Sequence, residues 1–442
     1  MLPANSCESS SPWPWRVVAL VWGIRALGRA LNVGLASWQL ARRGGRANIL
    51  LMLVPQRVVN ADEVQQDMPD LFDLLVPSLE ESDPLADRVL QELEHYPSSE
   101  RHRLIAAALE PAGGGPQRLQ ELVRVASRPP AWVNWTRINR AGSIFFRAGL
   151  LGSMTLGMRC LVYGYAAPVG NKPLAFSGAL EKKAERRLAE TARFVTAVAR
   201  AEGTRPGGDG FRAAIHVRLM HAQVRRLSLQ DPRWNHQAWG IPINQHDMLA
   251  TVLLFSAVFV DGIRVLGVHV SEEEAEDYQH LWKWVGWVMG VREELLPSTA
   301  QEAIRRALFF RRTQGEPDDD SRALVDALME EPLRRARTAL ERRRAEAQVA
   351  TARGLCRALL DKETADALCL PEGGSERFVP KVRRALKILE YVRRRVTPLD
   401  HLVEKLGGSY WQWSVERGLR GGGVLFPLPL SLEGTPRGLG KP

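Results

Sequence analysis

Ile215-His216-Val217-Arg218-Leu219-Met220-His221-Ala222-Gln223-Val224-Arg225 is the stretch from which this chain is best read. Apolar residues recur there at three- and four-residue spacing with no glycine or proline between them, the pattern of a helix with a buried face. Its two histidines stand five apart, about 140° around the helix axis, and cannot face one ligand. His221 points with Val217 and Val224 toward an apolar interior, while Arg218 and Arg225 flank it. Two explanations stay open for such an imidazole: a core histidine bonded to a carbonyl, or a ligand to a metal-bearing group.

Working outward, helical signals dominate. Pro84 to Leu93 carries apolar residues at helical spacing, with Ser82-Asp83 as its cap and Pro84 at the first position. Leu180 to Ala201 predicts a long amphipathic helix, followed after the loop Gly207-Gly208-Asp209-Gly210 by a helix over Phe211 to Ser228. Met248 to Phe259 is nearly all apolar and reads as buried on all sides. Ser271 caps the next helix, with Glu272, Glu273 and Glu274 in a first turn where the helix dipole favours acids. Further helices are expected over 300–312, 322–360 and 379–395. No strand-period alternation and no repeat is present, so the fold class is all-α: one large helical domain over 61–398, after an N-terminal extension (1–60) and before a C-terminal tail (399–442).

Bulk properties narrow the function classes. The 442 residues are 45% hydrophobic and 25% charged, as in a soluble globular protein. The net charge of +10 comes mostly from arginines interleaved with Glu and Ala along helices, without a dense basic block bearing aromatics, so no nucleic-acid partner is expected. The basic stretch Val379 to Arg395 is the one place suited to an anionic partner. Cys7, Cys160, Cys356 and Cys369 are scattered and read as small hydrophobes, not as a zinc site or disulfide frame. Val17 to Ile24 is too short to span a bilayer before Arg25 interrupts it. Arg42-Arg43 precedes the short run Ile49 to Val54 in the manner of a twin-arginine signal but without a small-residue cleavage site, so the expectation is a cytoplasmic chain with no transmembrane segment, export being the alternative.

Histidines elsewhere carry less. His95, His102, His280 and His401 have polar neighbours and read as surface, and His246 reads as part of a capping network. On the upstream helix, Arg187, Glu190 and Thr191 form a polar trio, the first and last sharing a face at i,i+4. One reading is an exposed ion pair; the other, favoured by the apolar Phe194-Val195 that follows, turns this face inward, where a buried arginine must find an anion. P-loop, GxGxxG, HExxH and GxSxG signatures are absent from the sequence.

Taken in order, Asp83–Leu93, Pro130 to Trp135, Gly164-Tyr165-Ala166, Ser177-Gly178, Arg187 to Thr191, Val217 to Ala222, Trp239 to Gln245, Gly290-Val291 and Ala367 to Pro371 resemble the latex-clearing-protein (rubber oxygenase) and MpaB-type oxygenase family. The resemblance implies a haem b pocket between core helices of an all-helical fold. It makes His221 the counterpart of the proximal iron ligand, and Arg187 and Thr191 counterparts of polar residues on the oxygen-binding side. It also implies oxidative cleavage of carbon–carbon double bonds in an isoprenoid or lipid-like substrate, with dioxygen as co-substrate. Arg218 or Arg225 is then a candidate partner for the haem propionates.

Two departures bear on that expectation. The rubber-cleaving branch has a lysine between the distal arginine and threonine, where this chain has Glu190. It also has an upstream glutamate, for which Val169-Gly170-Asn171-Lys172 offers no carboxylate. Glu190 either acts as acid/base itself or pairs with Arg186 or Arg187. Two other function classes remain: a haem or hydrophobic-ligand carrier on the same scaffold, and a helical interaction protein with basic C-terminal helices.

Overall fold

Helices account for the regular structure of this chain, as the periodicity requires. The computed structural model describes residues 54–372, 378–419, 428–429 and 431–432; among these the sole departure from an all-α fold is an isolated bridge between Val58 and Gln314. The chain divides into two units, Met1–Val54 and Pro55–Pro442. The former and the targeting signals weighed above fall almost wholly outside the described residues.

The helices that position the site, numbered in chain order, are α1 (Pro84–Leu93), α2 (Ser143–Thr155), α3 (Ala179–Ala199), α4 (Asp209–Gln230), α5 (Gln245–Leu253), α6 (Glu272–Val288), α7 (Ala300–Thr313), α8 (Phe378–Arg393) and α9 (Thr397–Leu419). Their starts follow the sequence signals. The Asp83 side chain accepts the Ala86 amide at the head of α1, Asn244 caps α5 through the Asp247 amide, and Ser271 with Glu274 forms a reciprocal capping box on α6. Each cap satisfies amides that a helix end otherwise leaves without partners.

α4 is the central helix. It packs against α1, α3 and α6, and residues on several sides of it are buried: Phe211, Ile215, Val217, Leu219 and Ala222 with the polar Arg218, Gln223 and Arg225. Its junction with α1 is an ion pair. Arg218 Nε and Nη2 donate to the two oxygens of Asp83 at 2.6 and 2.9 Å, and Nη1 donates to the Val288 carbonyl at 3.0 Å. Gly290 closes over this pair at φ 90°, where an added Cβ would stand 2.3 Å from Asp83 Oδ2 and 2.7 Å from Arg218 Nε. Gln245 ties the same corner, donating to the Ser82 and Gly290 carbonyls and accepting the Arg292 amide. Arg57 grips Asp247 through two bonds of 2.9 and 2.6 Å, fixing the start of α5.

Three expectations need correction. The single helix over 322–360 is three, Asp319–Met329, Glu331–Arg335 and Ala339–Leu359. Pro332 starts the short middle one, and Thr338 caps the last with a capping box. Residues 399–442 do not begin as a tail: α9 buries Trp411 against the stacked Phe145 ring, 4.4 Å away, and Gly407 lets α9 approach the Phe146 carbonyl of α2 so closely that a Cβ would overlap it. His280 is not on the surface. It is buried on α6, where Nε2 accepts the Asn134 amide at 3.0 Å.

The nearly continuous apolar helix expected from Met248 onward is present, but α5 passes through a π-helical turn at Leu254–Val258 before continuing as Phe259–Leu266. A second π-turn, Leu156–Cys160, follows α2 and packs against the first. Trp135–Tyr165 and Gln245–Leu266 are long and apolar enough to cross a membrane, and half of each apolar window is buried against the rest of the protein, so the burial on all sides expected of Met248 to Phe259 is not met.

Two measurements test this frame. Asp83→Ala strands the Arg218 charge in the interior and is expected to lower the urea-unfolding free energy by about 3–5 kcal/mol; a loss near zero would show that the pair does not join α1 to α4. Burial, and then Arg137 and Lys283, push the His280 imidazole down from 6.5 to about 4. The unfolded chain therefore takes up this proton first, and stability falls as pH drops from 6.5 toward 4. His280→Gln should flatten that fall, measured as the difference in unfolding free energy between neutral and mildly acidic buffer.

Candidate active site

The sequence candidates come from two helices that pack on each other, α3 and α4. On α4, Arg218, His221 and Arg225 follow one another at three- and four-residue steps, on the side of the helix that meets α1. There the acids Asp83 and Asp87 stand four apart. The two pairings differ. Asp83 accepts from two nitrogens of Arg218 and the Val288 carbonyl from the third, so each guanidinium nitrogen of that arginine is engaged in the frame. Arg225 comes no nearer than 3.5 Å to Asp87, and none of its three guanidinium nitrogens, all shielded from solvent, has a hydrogen-bond partner. A buried guanidinium this poorly paired costs several kcal/mol unless an anion joins it. Burial also raises the Asp87 carboxyl, against the pull of Arg225.

His221 lies between these arginines. The residue is half-buried, but its Nδ1 is shielded and has no partner. Burial, followed by the charge of Arg225, lowers the imidazole to about 4, with Asp83 opposing and Arg187 adding to the shift. It is thus neutral near pH 7, and among the described residues no hydrogen bond claims either ring nitrogen. Of the two explanations open from sequence, the carbonyl-bonded core histidine has no support here: no carbonyl is bonded to the ring. His216, as its angular offset requires, faces elsewhere and stacks on His102 with ring centroids 5.6 Å apart.

On α3, Arg187 is partly buried and close enough for its charge to act on both His221 and Tyr165. Among the described residues its guanidinium has no recorded acceptor. Thr191 donates its hydroxyl hydrogen to the Arg187 carbonyl at 2.9 Å, which leaves the oxygen lone pairs as its free function. Glu190 accepts from Arg186 Nε at 3.0 Å, so of the alternatives left open by sequence its ion pair is with Arg186 and not Arg187. Tyr165, buried, has its phenol pushed up to about 12 by desolvation against the opposing effect of Arg187, and remains a proton donor at neutral pH.

Aromatic rings bound this region beyond Thr191. Phe194, three residues on, meets the Trp282 ring edge-on at 6.3 Å, and Trp282 stacks on Phe255 of the π-turn at 5.1 Å. Trp282 Nε1, Ser256 Oγ and Thr155 Oγ1 are buried there without partners. Tyr165, Trp282 and Phe255 are residues that sequence reasoning missed as site neighbours; the run Gly164-Tyr165-Ala166 carried the signal for the first alone. Where the related branch has its upstream glutamate, Asn171 donates to the Tyr165 carbonyl and to Ser321, and Lys172 pairs with Asp318 and Asp320. Among the described residues no three His, Cys, Asp or Glu side chains converge as metal ligands. A metal held at His221 therefore needs most of its ligands from something other than the chain.

Comparison with known proteins gives this arrangement a lineage. Rubber oxygenase of Streptomyces sp. (strain K30) is 28% identical over 190 residues, which cover 42% of this chain and 46% of that protein; the matched part thus spans about half the length of the curated relative. The solved structure of latex clearing protein LCP in the closed state superposes with a TM-score of 0.59 at 21% identity, covering 81% of this chain and 93% of that one, and shares its helical fold. Residues 135–391, which carry both α3 and α4, match the family described as ER-bound oxygenase mpaB/B′/rubber oxygenase, catalytic domain. On that match, extending over more than half of the sequence, this chain belongs to the mpaB and rubber oxygenase family.

Proposed function

We propose that this chain is a haem b-dependent oxygenase that uses dioxygen on an apolar substrate of the polyprenoid class, with His221 as the protein ligand to iron. The observation that carries the reading is the His221 imidazole itself: neutral, partly buried and hydrogen-bonded to no protein group among the described residues, on a helix where buried Arg225 has an ion-pair partner, Asp87, but no hydrogen bond. Those two residues fit a haem. A neutral imidazole nitrogen is the donor that iron requires, and a propionate would give Arg225 the hydrogen-bonded acceptor that Asp87, 3.5 Å away, does not provide. Porphyrin nitrogens would supply the remaining ligands that no cluster of side chains offers. Arg218, each of its guanidinium nitrogens engaged by Asp83 or the Val288 carbonyl, holds α4 in place.

When bound, haem supplies the oxygen chemistry that no amino-acid side chain provides. The remaining tasks belong to the chain. Phe255, partly exposed and backed by the buried rings of Trp282 and Phe194, offers an apolar contact for a hydrocarbon chain. Arg187 holds positive charge toward the space shared with His221, where it stabilises negative charge developing on oxygen. Thr191, its hydrogen committed to the Arg187 carbonyl, keeps that turn of α3 in register and presents an acceptor. Glu190 is engaged by Arg186, so any proton it handles requires that pair to open. The same engagement favours one second reading, a haem carrier without turnover on this scaffold.

The absorption spectrum of the purified protein is the decisive test. A Soret band is expected, and His221→Ala should abolish it; a colourless protein that cannot be reconstituted with haemin would overturn the proposal. Arg225→Leu should retain the fold and weaken haem binding about ten- to hundredfold, the worth of a charge-assisted hydrogen bond. Arg187→Leu should leave the spectrum in place and lower oxygen consumption with polyprenoid substrates by about a hundredfold or more. Wild-type protein that holds haem but consumes no oxygen across a broad polyprenoid panel would establish the carrier reading instead.

A further inference from the structure

Nine of the twelve large apolar side chains exposed among the described residues lie between Val382 and Trp413, on α8, α9 and the turn joining them. Scattered single hydrophobics on a surface need no explanation, but a concentration of this kind does. On α8 they are ordered. Val382, Ala385, Leu389 and Val392 recur at three- and four-residue steps and form a stripe open to solvent, flanked by Ile388 (69% exposed) and Tyr391 (57% exposed), with Val396 exposed just beyond the helix end.

The exposure does not come from a loosely placed helix. The adjoining, inward side of α8 is anchored: Glu390 accepts the His269 amide at 3.0 Å, Arg393 is buried between Glu390 and Asp400, and Leu386 with the Arg383 backbone rests on Gly267. The outward face is therefore held in place by contacts on the inward one.

Charge identifies what covers the face. Residues 378–396 hold seven Lys and Arg and a single acid, Glu390, which is turned inward. Arg384, Lys387, Arg394 and Arg395 stand exposed beside the apolar stripe, and the Arg395 guanidinium lies over the Tyr391 ring at 3.7 Å. A second copy of this chain would bring the same positive charge against it. Residues 1–54, which carry six arginines and one glutamate, would do likewise. An amphipathic helix with a basic flank and an aromatic at the boundary suits a surface that is negative outside and hydrocarbon within.

We propose that the outer face of α8 docks this protein onto anionic phospholipid bilayers, lying in the interface and not crossing it. The proposal is independent of haem binding. The test is co-sedimentation of the full chain with vesicles of phosphatidylcholine, alone or mixed with phosphatidylglycerol. Partitioning onto the anionic vesicles is expected to be at least tenfold stronger, and to weaken as salt screens the charges. Arg384→Glu with Arg394→Glu should lower binding to anionic vesicles at least tenfold, and Ile388→Asn with Leu389→Asn should do the same at unchanged net charge. Both pairs are solvent-exposed, and unchanged circular dichroism melting verifies the fold. Equal binding to neutral and anionic vesicles, no vesicle binding at all, or retention in both double variants would overturn the proposal. So would light scattering that shows a dimer split by Ile388→Asn and Leu389→Asn, which would assign the face to a second copy.

Discussion

The ion pair between Asp83 and Arg218 is the constraint on which the rest of the architecture depends. It joins the head of α1 to the middle of α4 inside the protein, where removing either charge leaves the other without compensation. Gly290 and Gln245 are shaped to it: one has no side chain because the pair occupies that space, and the other pins three chain segments around it. With the azimuth of α4 set by Arg218, the direction of His221 one turn later is set as well. Arg225, a further turn on, then arrives in the interior whether or not its own acid can reach it.

This arrangement separates two kinds of arginine that look alike in sequence. Both stand on one side of the same helix, seven residues apart, opposite acids four residues apart on α1. The first is fully bonded and stabilises the frame. The second is a buried charge with a distant partner, and such groups persist where an absent anion completes them. The polar residues of α3 make a similar contrast, since Glu190 is tied to an exposed arginine on its own helix while the Arg187 guanidinium meets no acceptor among the described residues.

Much of the fold was legible from sequence because helix starts are written in short-range chemistry. The caps at Asp83 and Ser271 and the acids after Ser271 each act within one turn and were readable as such, whereas the Asn244 cap, which starts α5 three residues before the expected Met248, was not read. The break of the 322–360 region was also written, in Pro332 and Thr338, but strong helical spacing on both sides obscured it. What sequence could not supply were contacts between distant segments. His280 looks polar among its neighbours in the chain, yet Asn134 and burial on α6 decide its state. α9 is poor in helix-face patterning and rich in glycine, and its place follows from the Gly407 crossing and the Phe145–Trp411 stack, which no local signal announces. Arg218 and Arg225 became distinguishable only once α1 was laid beside α4.

The paired π-turns at Leu156–Cys160 and Leu254–Val258 have a consequence for how this chain is compared with its relatives. A π-turn amounts to one extra residue lodged in an α-helical path, and one residue is worth about 100° of rotation. A relative lacking either insertion, aligned without a gap, would have every later side chain on that helix assigned to the wrong azimuth. Homologous positions downstream of Cys160 and Val258 are therefore properly matched by the direction in which they project, with a single-residue gap placed inside each turn.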